Sequence, residues 1–433
     1  VIVVGAPGSG KTQDVIKHAL LQNTGSIIVN DEDFTLYKQT KDILQKRGYQ
    51  IKKLDLCKPQ DSCTYNPLMY TKTERDVLTV ANFILNTTTD KNATGTVELE
   101  KAKQLLLLTC IYYVLENETD KTLLQVKGTL DCFLKMDKIS DKPGFSTGLT
   151  AEYYKRFLEL DEELRYSVII STYFHLFSFL SPKISSVVCS DDVHLDKFME
   201  EKTVLFVNSK KIDVSSKTTD LSGLLYHQIC SIAENNAINH IPFTYRVTLL
   251  IDDITCYEDI PYFVYWIEYG KGYGISITAT LQSLEQLNCA YEETCIAILE
   301  HIDKLVFLSD DFLLCFDKQL SKYLEFKYGN GFLSELEDMT KEEIMVCITD
   351  KAYKILQRKE NMAVMTERDR KKAAKKSALR IGGIITIVLM YLCGYAGGIM
   401  QDEHLETGQA MIMTMERIST FHLFFPLNQL AFT

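Results

Sequence analysis

Gly5-Ala6-Pro7-Gly8-Ser9-Gly10-Lys11-Thr12 directly follows the apolar run Val1-Ile2-Val3-Val4. That order is the one phosphate binding requires. A buried strand ends, a glycine-rich turn aims its backbone N–H groups at one point, and a helix opens with its positive end facing the same point. Val15, Ala19 and Leu20 supply the apolar stripe of a helix running from Gly10 to about Leu21. In this reading Gly5, Ala6, Pro7, Gly8, Ser9, Gly10, Lys11 and Thr12 cradle the phosphates of ATP. Lys11 reaches the β- and γ-phosphates, and the Thr12 hydroxyl holds Mg²⁺. A glycine-rich turn that binds nothing is the simpler alternative, and the complete G-x-x-x-x-G-K-T pattern in strand–turn–helix context weighs against it.

A site of this kind needs acid from a second buried strand. Val247-Thr248-Leu249-Leu250-Ile251 is a short apolar run ending in Asp252-Asp253. Asp252 is expected to hold Mg²⁺ through water or through Thr12, and Asp253 to orient the attacking water. Asp253 is one methylene shorter than the glutamate usual in that role. Gln282 closes the Gly274–Leu281 strand region, where a polar side chain can sense the γ-phosphate. Lys271 stands just ahead of that region, in Gly270-Lys271-Gly272-Tyr273.

The chain around these motifs alternates in texture. Ser26–Asn30 and Tyr49–Leu54 read as strands flanking a helix over Phe34–Arg47, a rhythm that argues a parallel sheet with helical crossovers. From Thr73 to Phe198 helical spacing takes over, with helices expected at Leu99–Leu115, Leu123–Met136, Ala151–Leu160 and Tyr166–Leu180. Ala102, Leu105, Leu106, Thr109 and Tyr113 would share one face of the first. The α/β pattern resumes at Lys202–Val207, continues through a helix over Leu221–Ala237, and adds strands at Ile275–Thr280 and Leu305–Leu308. Glu343–Ile348 is expected to pair with Lys354–Leu356. The fold class is therefore α/β: a P-loop NTPase core with an inserted all-helical domain. The motor takes residues 1–72 and 199–361 and the insertion 73–198.

Residues 362–433 differ from the rest. Ile381–Met400 carries no charge and is long enough to span a bilayer as a helix. Seven Lys and Arg residues precede it between positions 368 and 380, so the positive-inside rule orients that flank, and with it the motor, to the cytoplasm. Residues 362–433 hold 8 basic and 6 acidic residues, which leaves 39 against 52 in residues 1–361. Such an acidic body does not coat nucleic acid generically, although a local basic lining could still grip it. The twelve cysteines lie scattered without a C-x-x-C pair and read as buried thiols. Neither they nor the histidines form a metal cluster.

Residues 1–361 resemble the type IV coupling proteins, the TraG-type membrane ATPases of bacterial conjugation and type IV secretion. The resemblance rests on the P-loop, Tyr65-Asn66-Pro67-Leu68, Lys202-Thr203-Val204-Leu205-Phe206, Asp252-Asp253 with Ile260-Pro261, and Gly274-Ile275-Ser276 leading to Leu281-Gln282-Ser283. It implies a RecA-like, hexameric motor, anchored in the bacterial inner membrane with its motor domain cytoplasmic, in which Lys271 would supply positive charge to a neighbouring subunit's γ-phosphate. Such a motor passes relaxase-bound single-stranded DNA or secreted protein substrates to components of the type IV secretion channel. Three departures bear on hydrolysis. Asp31-Glu32-Asp33-Phe34 stands where the family usually has Asp-Pro-Lys-Gly, Asp253 replaces glutamate, and Lys271 lacks the bidentate fork of arginine. They favour, as one alternative, a nucleotide-binding docking receptor with little hydrolysis. An FtsK-type DNA pump is another, against which the Tyr65–Leu68 tetrad and the insertion argue. In the family the membrane helices precede the motor. Met365-Thr366-Glu367-Arg368 before a basic stretch and a span reads like the start of a protein, so two arrangements are expected: a rotated numbering with a start near Met362 or Met365, or a true C-terminal anchor.

Overall fold

The computed structural model describes residues 1–88, 96–135, 143–209, 221–254, 260–291, 294–308, 318–338, 343–348 and 352–357. The expected span at 381–400, its basic flank and the expected start near Met362 lie outside them. Among the described residues no helix is long and apolar enough to cross a membrane.

Strands β1 (Ile2–Val4), β2 (Ser26–Asn30), β3 (Gln50–Asp55), β4 (Thr203–Asn208), β5 (Val247–Ile251), β6 (Ile275–Leu281) and β7 (Lys304–Leu308) run parallel, and β8 (Glu343–Ile348) and β9 (Ala352–Gln357) extend the sheet antiparallel. Their order across the sheet is β3-β4-β2-β5-β6-β1-β7-β8-β9. The sequence explains which strands are interior. β1, β2, β4 and β5 are buried along their whole length, as expected of parallel strands covered on both faces. β3 opens with the exposed Gln50 and carries Lys52 and Lys53, charges that suit an edge.

After the P-loop turn the chain enters a wide π-helical first turn, Lys11–Ile16, that continues as α1 (Lys17–Gln22). Helix α2 (Thr35–Lys46) joins β2 to β3. Its start is unusual, because Asp33 and Phe34 both hold positive φ, 58° and 54°. Asp31 stabilises the turn by accepting hydrogen bonds from Leu36 N at 2.9 Å and Tyr37 N at 2.6 Å. Burial raises its carboxyl above the usual range, against the pull of those N–H groups.

Between β3 and β4 the described chain forms helices α3 (Glu74–Thr88), α4 (Val97–Asn117), α5 (Leu123–Leu134), α6 (Gly148–Leu158), α7 (Glu162–Phe179) and α8 (Pro182–Val187), with short 3₁₀ turns. α4 packs against α3, α5, α6 and α7. Burial therefore extends well beyond the face that Ala102, Leu105, Leu106, Thr109 and Tyr113 share. Leu106 through Tyr112 are all buried, whereas Leu105 and Tyr113 are only half-buried, because a helix with neighbours on every side needs no polar stripe. The cysteine reading also needs correction. None of the nine described cysteines is in a disulfide, but Cys189 and Cys289 are exposed.

The helical layer is locked to the sheet through α9 (Ser222–Ile238), which is buried over most of its length. The Tyr65 hydroxyl donates to Gln228 Oε1, and Gln228 Nε2 donates to Pro67 O at 2.8 Å. Ser231 Oγ donates to Asp76 Oδ1 at 2.7 Å. The buried Glu234 carboxylate receives the Arg75 guanidinium on one oxygen and the Tyr265 hydroxyl on the other. Tyr65-Asn66-Pro67-Leu68 is thus a structural knot between layers.

Tyr65→Phe should destabilise the protein by about 1–3 kcal/mol, because Gln228 Oε1 is left buried without its donor. The urea midpoint measures this. An unchanged midpoint would show that the Tyr65–Gln228 bond adds nothing to stability.

Candidate functional site

β5, β6 and β1 are adjacent and parallel, so the loops at their carboxyl ends emerge side by side. This is the edge at which open α/β sheets bind ligands. Gly5 after β1, Asp252 after β5 and Gln282 after β6 meet there, pinned by Gly5 N donating to Leu281 O at 3.0 Å. The P-loop backbone is shaped by glycine at defined points. Gly8 and Gly10 hold φ of +85° and +89°, which side chains rarely tolerate. A Cβ on Gly5 would lie 2.3 Å from Ser9 Oγ. Within the turn Ser9 N donates to Ala6 O at 3.1 Å; a glycine-rich turn opening a helix is a backbone arrangement that suits an anion.

Asp252 is gripped on both carboxylate oxygens. Thr12 Oγ1 donates to Oδ2, and Thr280 Oγ1 donates to Oδ1. Thr280 also accepts from Asp253 N at 2.9 Å, in a turn where Asp253 has φ of 52°. Gln282 Nε2 donates to Asp253 Oδ2 at 2.8 Å. Thr12, Asp252, Thr280, Asp253 and Gln282 are therefore one hydrogen-bonded cluster, and the Lys11 ammonium feels the charge of both carboxylates. Sequence reasoning missed Thr280. Its signal was a threonine at a fully buried position of an apolar strand, a hydroxyl that must find a partner.

Lys11 Nζ donates to Gly5 O and, at 3.0 Å, to Ala6 O. Burial lowers its pKa, countered by the charges of Asp253 and Asp252. Two carboxylates facing one ammonium leave the cluster net negative, so a polyphosphate fits only with a divalent cation between the anions. The paired Thr12 hydroxyl and Asp252 carboxylate are the oxygen ligands that Mg²⁺ takes, usually with water completing its shell. The residues present thus fit Mg²⁺ with a nucleotide.

Lys271 is not in this cluster. It lies ahead of β6, at the opposite edge of the sheet, roughly 20 Å from Gln282 at about 3.3 Å per strand residue. There its ammonium sits 3.2 Å from Asp303 Oδ1, both side chains about half exposed. The Asp31–Phe34 segment follows β2, and Asp31 is occupied as the cap of α2.

A family model described as type IV secretory system conjugative DNA transfer matches residues 1–298. The fold is similar to that of the bacterial conjugative coupling protein TrwBdeltaN70 in an unbound form, with a TM-score of 0.57 at 15% identity over 83% of this chain and 84% of that one. It is also similar to the plasmid coupling protein TrwB in complex with ADP and Mg²⁺, with a TM-score of 0.55 at 14% identity over 84% of this chain and 86% of that one. No curated protein matches the sequence significantly. The α/β architecture is that of the P-loop NTPase-like fold.

Thr280→Val keeps the shape of the side chain but removes the hydroxyl that holds Asp252. It should weaken Mg²⁺-dependent binding of a fluorescent ATP analogue severalfold, and Asp252→Asn should weaken it further. Titrations with and without Mg²⁺ decide the point. If both variants bound like the parent, Asp252 would have no part in holding the metal.

Proposed function

The chain belongs to the type IV secretory system conjugative DNA transfer family, and from that premise we propose that it is an ATP-driven coupling motor. It recruits relaxase-bound single-stranded DNA or protein substrates and passes them to the secretion channel. The observation that carries this reading is the bond from Thr12 to Asp252, which joins the P-loop to an acid on a strand two places away. Bound Mg²⁺ would neutralise charge on the β- and γ-phosphates of ATP and polarise the bond that breaks.

The chain's own residues do the rest. The P-loop N–H groups and Lys11 bind phosphate, Lys11 exchanging the neutral Gly5 and Ala6 carbonyls for anionic oxygens. Thr12 and Asp252 hold the metal, with Thr280 fixing the carboxylate. Asp253 accepts a hydrogen bond from water and aims it, and Gln282, bonded to Asp253, links that carboxylate to the end of β6. A related structure supports the choice of ligand, since TrwB is described in complex with ADP and Mg²⁺. In this proposal the hydrophobic segment 381–400 anchors the motor to the bacterial inner membrane, and several copies form a ring, with hexamers the family's habit.

Lys11→Ala should abolish ATP turnover with the fold intact, since Lys11 is half-buried and packs in no core. Circular dichroism and a phosphate-release assay test both halves. Hydrolysis at the parent rate would remove the P-loop from the mechanism. If the parent binds ATP but does not turn it over even with single-stranded DNA present, the chain is a docking receptor.

In a ring, Lys271 would supply charge to a neighbour's γ-phosphate, a contribution that reaches ~10³–10⁵ for arginine fingers. Its partner Asp303 would have to release it. Lys271→Ala and Lys11→Ala subunits, each inactive alone, should then recover activity when mixed. Full activity of Lys271→Ala alone would show that Lys271 is a surface lysine.

A further inference from the structure

α7 is apolar on two opposite faces, and only one is covered. Val168, Thr172, Leu176 and Phe179 recur at helical spacing and are buried, with α3, α4 and α5 packed against the helix. Half a turn away, Tyr166, Ile170, Phe174 and Phe177 recur at the same spacing. Phe174 is 61% exposed, and Tyr166 and Phe177 are each 55% exposed. A surface helix ordinarily turns charge to water on that side. This one turns aromatic rings, and the Phe177 ring is stacked on Tyr173 with centroids 5.9 Å apart.

The amino-terminal end of the stripe opens onto a cavity of about 600 Å³ whose lining includes Phe133, Tyr154, Phe157 and Ile169. Glu162 and Glu163 also line it and are exposed. Glu159 and Asp161 stand just ahead in the chain, Asp161 capping the helix through Leu164 N at 2.9 Å. Arg165 is the one cation among the described lining residues, and its guanidinium donates to Leu158 O at 3.1 Å. The surface therefore combines an aromatic stripe, an aromatic cavity and an acidic end.

We propose that this stripe and cavity dock a segment of a partner protein that carries apolar or aromatic anchors beside Lys or Arg. An anchor side chain fills the cavity, where a desolvated aromatic site concentrates binding energy. The stem of a neighbouring basic residue lies over the rings while its charge meets Glu162 and Glu163. Single-stranded nucleic acid stacks on exposed rings too, but its phosphates would meet the same carboxylates. The proposal goes beyond the nucleotide site and does not depend on it, so Lys11→Ala should dock the partner as the parent does.

The test uses the full chain and a labelled peptide of about a dozen residues with leucine and phenylalanine at i, i+3, i+4 spacing and arginines at one end. Two control peptides replace the arginines by glutamate or the apolar residues by serine. The parent should prefer the basic, apolar peptide. A variant carrying Phe174→Ser and Phe177→Ser should lose about tenfold in affinity or more. A variant carrying Glu162→Lys and Glu163→Lys should switch preference to the glutamate peptide, which a merely structural role would not produce. Equal affinity for all three peptides, or an unchanged affinity in both variants, would overturn the proposal. So would tighter binding of a labelled oligothymidylate or of anionic phospholipid vesicles that depends on Phe174 and Phe177, or self-association through those residues without peptide binding.

Discussion

A parallel strand delivers its following loop to one edge and its preceding loop to the other, and this chain is organised by that constraint. Seven strands of one direction bring the P-loop together with Asp252 and Gln282, although 240 residues separate Thr12 from Asp252 in sequence. The same rule sends Lys271 and Asp303, which precede β6 and β7, to the far edge. A single sheet thus carries a phosphate-facing side and a side suited to contact with something else.

The fold was largely legible because its parallel strands are short, apolar and bounded by turn residues. Strand ends inferred from the pattern fall within a residue or two of those observed. What was not legible was how crowded each helix would be. The apolar count in α4 predicts a stripe, but only knowledge of its four neighbours reveals that almost no side faces water. At the site, Lys11, Thr12 and Asp252 could be read because their residue types recur at fixed offsets from glycine and from a strand end. Thr280 could not, since its hydroxyl matters only once β6 lies beside β5. The Asp31 segment shows the opposite case. Sequence marked it as a departure from the family pattern that bears on hydrolysis, whereas the structure gives its first carboxylate a capping duty and keeps a left-handed backbone at Asp33 and Phe34 without glycine.

Electrostatics tie the site together. Asp252 and Asp253 lie beside one ammonium whose proton affinity is lowered by partial burial. A ligand that brings both polyphosphate and a divalent cation answers the charge on each side, whereas either alone would leave one sign unbalanced.

The buried bridges on α9 bear on how the chain could be taken apart. Insertions between two strands are often thought of as passengers that can be removed or exchanged by joining their ends. Here Glu234 and Asp76 are buried acids whose partners come from both sides of the boundary, and Gln228 is held by residues just ahead of it. Cutting out the helical layer would strip Glu234 of its guanidinium and uncover a helix built to be surrounded. Sheet and insertion therefore share one folding transition, and a chimera between relatives has to carry α9 along with the helices that cover it.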